Sequence, residues 1–189
     1  MNMCIKQQMN ISNIVAKLPD YTADIKKSIT TLASSQKSNL EERQLYGIAL
    51  TAAYYLKNEQ LLNCVRKDAK IHLEEQDANA CKLAVVYSAL ACKYSKVSGL
   101  QYNEVAHSMD PVNHKVSDID FALYCFVSSS LRDAREASIY YAEMLKKHSL
   151  TKEDINVISL LIASLSAAAE AFNIESVRSY EFVARQSSL

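Results

Sequence analysis

The sequence predicts an all-α protein, and three observations carry that expectation. Glycine and proline occur only twice each, in a chain rich in Ala, Leu, Lys, Glu and Ser, a composition that favours helices. Apolar residues recur with the 3.6-residue period of a helix buried on one side. Short polar-x-x-acidic stretches precede several of these periodic segments, as helix capping requires.

Taken in order, Ser12 caps a short helix that ends at Leu18-Pro19. Pro19 suits the first position of the next helix, 20–33, which sets Tyr21, Ile25, Ile29 and Leu32 at helical spacing. A polar turn leads to Ser38-x-x-Glu41, read as a capping box for a helix reaching Lys57. Leu45, Ala49, Ala52, Ala53 and Leu56 lie on one side of that helix. Asn58 caps a helix through Leu61, Leu62, Val65 and Ala69 to Leu73, and Asp77 caps another over 78–95. From 96 to 116 the chain turns irregular, with Gly99 and Pro111, and divides an N-terminal helical half, 1–97, from a C-terminal half, 117–189, through a connection at 98–116.

The second half opens with Ser117 as the cap of a helix through Phe126. Asp133 and Glu136 have capping-box spacing, and the helix they start carries Tyr140, Tyr141, Met144 and Leu145. It closes on Lys146, Lys147 and His148, basic residues of the kind a helix C-terminus prefers. Thr151-x-x-Asp154 opens the next helix, where Ile155, Val157, Ile158, Leu160, Leu161 and Leu165 suggest burial on most sides. A last, separate helix covers about 174–185 before a frayed end.

Composition narrows the function classes. Apolar residues make up 49% and charged residues 22%, an ordinary globular balance. A net charge of +0 gives no basic surplus for nucleic acid or an anionic membrane. The five cysteines, Cys4, Cys64, Cys81, Cys92 and Cys125, are odd in number and irregularly spaced, which points to reduced thiols and a cytoplasmic location rather than a disulfide framework. Cys81 and Cys92 stand roughly 16 Å apart on one helix and cannot bridge. The opening residues lack an apolar run, and no later window is free of charge for long enough to span a membrane. His72, His107, His114 and His148 show neither i,i+4 pairs nor a Cys/His cluster, so they read as solvated or capping residues and no metal or other cofactor is expected.

Phe126-Val-Ser-Ser-Ser-Leu131, Leu145-Lys-Lys, Ser149-Leu-Thr-Lys-Glu-Asp-Ile155 and the run from Ala163 to Ala169 together resemble the alkylhydroperoxidase D (AhpD) family, within the carboxymuconolactone decarboxylase-like group. Leu18-Pro19-x-Tyr21-x-x-Asp24-Ile25-Lys26, Gln44-Leu-Tyr-Gly47 and Lys57-Asn58 are similar to that family's N-terminal half, so the likeness spans about Met9 to Ile174. Met9-Asn-Ile resembles the usual family start, which leaves the residues before it as an extension or a start-codon error. The resemblance implies an AhpD-like multihelical fold of two related halves, assembled as a homo-trimer or a multiple of one by helix exchange.

It also implies a site. Family members carry C-x-x-C-x-x-x-H, with a Glu about three helical turns earlier. The thiols form a redox pair at a helix start, where the dipole favours thiolate, and the Glu and His move protons. Aligned on the flanking residues, the Cys positions are Ala134 and Ala137, the His position is Tyr141 and the Glu position is Ala122. No C-x-x-C occurs anywhere in the chain. Cys125, the nearest cysteine in sequence, is the candidate for a displaced thiol. Tyr54-Tyr55 and Tyr140-Tyr141 could line a pocket, and Arg132, Asp133, Arg135 and Glu136 a charged mouth around it.

Three functions stay open on the sequence. One is a non-catalytic AhpD-like scaffold that binds a small molecule or a partner from a peroxide-defence system. Another is an antioxidant alkyl hydroperoxide reductase with displaced thiol chemistry. The last is a plain assembly protein.

Overall fold

A computed structural model describes residues 9, 11–33, 38–109 and 114–186, with the side chains of 33 and 179–186 left undescribed. Cys4, the turn at 34–37 and Pro111 lie outside the described residues. Among the described residues there are nine α-helices and no strand: α1 Ser12–Lys17, α2 Ala23–Ala33, α3 Glu42–Leu56, α4 Glu59–Ala69, α5 Glu75–Ser98, α6 Tyr102–Ser108, α7 Asp118–Leu131, α8 Arg135–Lys147 and α9 Lys152–Gln186. A single 3-10 turn at Asp20–Thr22 leads into α2. The all-α, AhpD-like expectation holds.

The core is built on α3 and α7. Tyr46–Ala53 and Asp120–Ser129 are buried without interruption, because each helix has neighbours on several sides. α3 packs on α4, α5, α7 and α9, and α7 on α3, α5 and α8. The α3–α4 and α7–α8 junctions share one feature. In both, a residue of positive φ stands between the two helices, Lys57 at 55° and Asp133 at 55°. α9 crosses back onto α2, α3 and α4, so the two halves share one core.

Capping sets the helix starts, with several changes from expectation. Asn58 and Ser117 cap as read, accepting from Leu61 N at 2.8 Å and Asp120 N at 3.1 Å. Thr151 and Asp154 form the reciprocal box, with Thr151 N donating to Asp154 Oδ2 at 2.8 Å and Asp154 N to Thr151 Oγ1 at 3.1 Å. Ser38 is not the N-cap of α3; its hydroxyl donates to Asp154 Oδ1 at 2.9 Å and accepts from Leu40 N at 3.1 Å, and Glu41 with Gln44 forms the box of α3. Glu74 is the N-cap of α5, and Asp77 is its N3 partner rather than the cap. Ile11, not Ser12, is the N-cap of α1. A long-range bond draws Ser38 away, and a competing carboxylate one turn earlier takes the cap from Asp77.

The stretch read as irregular contains the last turn of α5, a left-handed Gly99 (φ 74°) and α6. α7 runs on past Phe126 to Leu131. The two helices read at the C-terminus are one continuous α9, since nothing near Asn173 breaks the chain and Asn58 Nδ2 donates to Asn173 Oδ1 at 2.7 Å. Within one chain α9 is not buried on most sides: Asn156, Ser159, Leu160 and Ala163 are exposed. By length and composition its Lys152–Arg178 part could cross a membrane, against the expectation that no window would, but half of its most apolar window is buried inside the molecule.

Candidate functional site

The junction between α7 and α8 builds the site. α7 ends in a tight turn in which Asp133 N donates to Ser130 O at 3.2 Å and Ala134 N to Ser129 O at 3.0 Å. Asp133 takes the left-handed conformation and therefore does not cap α8; Ala134 is the N-cap and offers no side-chain bond. The capping box expected of Asp133 and Glu136 is thus absent, because the chain needs Asp133 to reverse direction.

Ala134 and Ala137 line a cavity of about 410 Å³ with Cys92, Lys96 and Tyr102. Asp133, Arg135 and Glu136 are also part of its wall, as the expected charged mouth. Arg132 is not: its guanidinium lies over the Tyr55 ring, 5.1 Å from the centroid. Ala122 and Tyr141 line a second cavity, of about 320 Å³, with Tyr87, His114, Phe121 and Tyr140. The four residues that the resemblance singled out are therefore divided between two cavities. They meet at a shared wall, where the Tyr102 hydroxyl donates to the Tyr141 hydroxyl at 3.3 Å.

The electrostatics of this wall disfavour anions. Burial pushes the Tyr141 and Tyr102 phenols well above their ordinary values, so both stay protonated. Cys125 is fully buried beside Tyr141, and burial pushes its thiol up to about 12. Cys81 is likewise raised to about 12. Cys64 and Cys92 are raised by burial, with nearby cations offsetting part of the effect. A buried thiol in apolar surroundings is a weak nucleophile because it is almost never thiolate.

Sequence reading missed two residues. Cys92, from α5, lines the same cavity as Ala134 and Ala137; no local spacing ties it to them, and only the packing of α5 on α7 does so. His114 is not a solvated loop residue. Its ring stacks on Phe121 with centroids 4.5 Å apart, and its Nε2 lies 3.4 Å from Asp118 Oδ1. The i,i+4 spacing of His114 and Asp118 was the legible signal. His72 also stacks, on Tyr46, at 4.2 Å. His107 closes α6, and His148 follows α8 as its C-cap. Tyr54 lines neither cavity and instead receives Arg66 over its ring. Among the described residues no three His, Cys, Asp or Glu side chains are grouped so as to hold a metal ion.

No model of a known protein family matches the chain. The chain is 26% identical over 176 residues to the alkyl hydroperoxide reductase AhpD of Corynebacterium kroppenstedtii, covering 90% of this chain and 100% of the relative. It is 28% identical over 167 residues to the protein of that name from Coxiella burnetii (84% and 94% covered). With that of Corynebacterium aurimucosum it shares 29% over 185 residues (92% and 100%).

Proposed function

We propose, for a chain that belongs to the AhpD family, that the helical scaffold is retained and the thiol chemistry is gone, leaving a non-catalytic binding or interaction protein. One observation carries this reading: the start of α8, where a redox pair would sit, presents the methyl groups of Ala134 and Ala137 to its cavity. Disulfide exchange needs an attacking thiolate and a resolving thiol within reach. Tyr141 and Ala122 stand where the proton relay would be, and a buried phenol cannot serve as a base near neutral pH.

The scaffold works as an oligomer, a homo-trimer or a multiple of one. Support comes from α5, where Val86, Leu90, Tyr94 and Val97 form an apolar stripe at helical spacing that is 46–74% exposed. Contiguous exposed apolar stripes mark interaction surfaces. The reading also places the protein in the cytoplasm, where its free cysteines stay reduced. Its partners are further copies of itself and a component of a peroxide-defence system, rather than nucleic acid or a membrane.

The test is peroxide turnover with a thiol-reducing chain. No turnover above the uncatalysed rate is expected, and neither Cys92→Ser nor Cys125→Ser changes that. A second reading, an alkyl hydroperoxide reductase with displaced chemistry, is favoured by Cys92 lying in the Ala134–Ala137 cavity. It requires turnover that is abolished by Cys92→Ser or Cys125→Ser, with a sulfenic acid formed on that residue.

A further inference from the structure

We infer that the second cavity, enclosed by α5, α6, α7 and α8, is a binding site for a small organic ammonium ion. The inference rests on the binding-scaffold reading and gives it a ligand class. Four aromatic residues line this space from three helices, Tyr87, Phe121, Tyr140 and Tyr141, with the His114 ring stacked on one face of Phe121. They are held at fixed angles, with Tyr140 and Tyr141 edge to face at 5.1 Å and Tyr87 tilted against Phe121 at 6.0 Å. Ring faces carry negative potential, and several together form a cage suited to an alkylated ammonium, which is weakly hydrated and gives up water readily.

Charge in the lining agrees. Among the described residues that line the cavity there is no Lys or Arg, and the one carboxylate is Asp118. His114 Nε2 takes up Oδ1 of that carboxylate at 3.4 Å, and the Asp118 side chain is 87% exposed. An ammonium head against the rings thus finds a counter-charge at the mouth. The volume of about 320 Å³ suits a molecule of a few heavy atoms beyond that head. Ala122 contributes only a methyl to the lining.

Choline is the probe, titrated by calorimetry and by NMR against the full chain. Saturable binding is expected. The uncharged isostere, with carbon in place of the ammonium nitrogen, should bind at least about fivefold more weakly, since it keeps the shape and loses the cation–π attraction. Asp118→Asn and Tyr140→Leu should each weaken choline by a similar factor, with thermal melting confirming that both variants fold. Equal binding of the two probes, or choline binding indifferent to both substitutions, would overturn the inference, as would the absence of saturable binding. A free metabolite and a lipid headgroup share this chemistry. We commit to the free molecule; sedimentation with phosphatidylcholine vesicles without binding of free choline would reject it. The peroxidase assay is independent: turnover would overturn the inert-site reading, and failure of choline would leave that reading standing.

Discussion

Tyr124 lies with its ring directly over Gly47, and this contact reverses an ordinary helix rule. Gly to Ala inside a helix usually stabilises by about 1 kcal/mol. Here a Cβ on Gly47 would stand 2.3 Å from the Tyr124 hydroxyl and 2.4 Å from a ring carbon. Tyr124 is fully buried and has nowhere to move. Gly47→Ala should therefore destabilise by about 1–3 kcal/mol in urea unfolding, the usual cost of overpacking. Tyr124→Phe should not rescue it, because the ring carbon still clashes. Alone, Tyr124→Phe should change stability by less than about 1 kcal/mol, since the hydroxyl has no partner among the described residues to lose.

Asp154 gives the second residue-scale prediction. Burial would raise its carboxyl, but bonds from Thr151, Asn39 and Ser38 outweigh this and hold it below its ordinary value of 3.8. With the folded value lower than the unfolded one, the carboxylate adds stability that is fully present above the unfolded pKa. That stability is lost as pH falls through the folded value. Asp154→Asn should cost about 1–3 kcal/mol at pH 7 and flatten the acid limb of a stability-against-pH curve. An unchanged acid limb would contradict the assignment.

At the scale of elements, two starts are informative. Arg43 on α3 pairs with Asp77 and, at 3.1 Å, with Asp120, while Gln44 Nε2 donates to Asp120 Oδ1 at 2.9 Å. Asp77 and Asp120 lie in the first turns of α5 and α7, so one guanidinium ties three helix starts together. Arg43→Ala leaves two buried carboxylates without a counter-ion and should cost about 3–5 kcal/mol, read as a shifted urea midpoint. The start of α8 is the opposite case. Its N-cap, Ala134, makes no side-chain bond, so Ala134→Ser should stabilise by about 0.5–1 kcal/mol. A loss instead would mean that the cavity wall, rather than the cap, governs this position.

For the molecule as a whole, thiol accessibility and mass are the two checks. Cys64, Cys81, Cys92 and Cys125 are all buried. In the native protein they should react with a thiol reagent at least about tenfold more slowly than after unfolding, when buried thiols reach solvent. Light scattering should give a multiple of the 21.1 kDa chain, and Leu90→Glu with Val97→Glu on the α5 stripe should shift it to the monomer. A wild-type mass of one chain would remove the support that this stripe gives to assembly.

The helical class, the caps at Asn58, Ser117 and Thr151, and the family likeness were legible along the chain, because periodicity and capping are local and the family motifs keep their order. Ala134, Ala137, Ala122 and Tyr141 were singled out only through the family resemblance of their flanking residues. Tertiary structure alone decided that Ser38 bonds to Asp154 from the other half, that α9 continues through Asn173, and that Asp133 turns the chain instead of capping it. It alone put Cys92 beside Ala134 and made His114 a wall of the Ala122–Tyr141 cavity. The physical reason is shared by all of these: each depends on a partner from a distant helix or on the geometry of a reversal. A side chain with two possible partners follows the one that packing delivers, which local spacing does not encode.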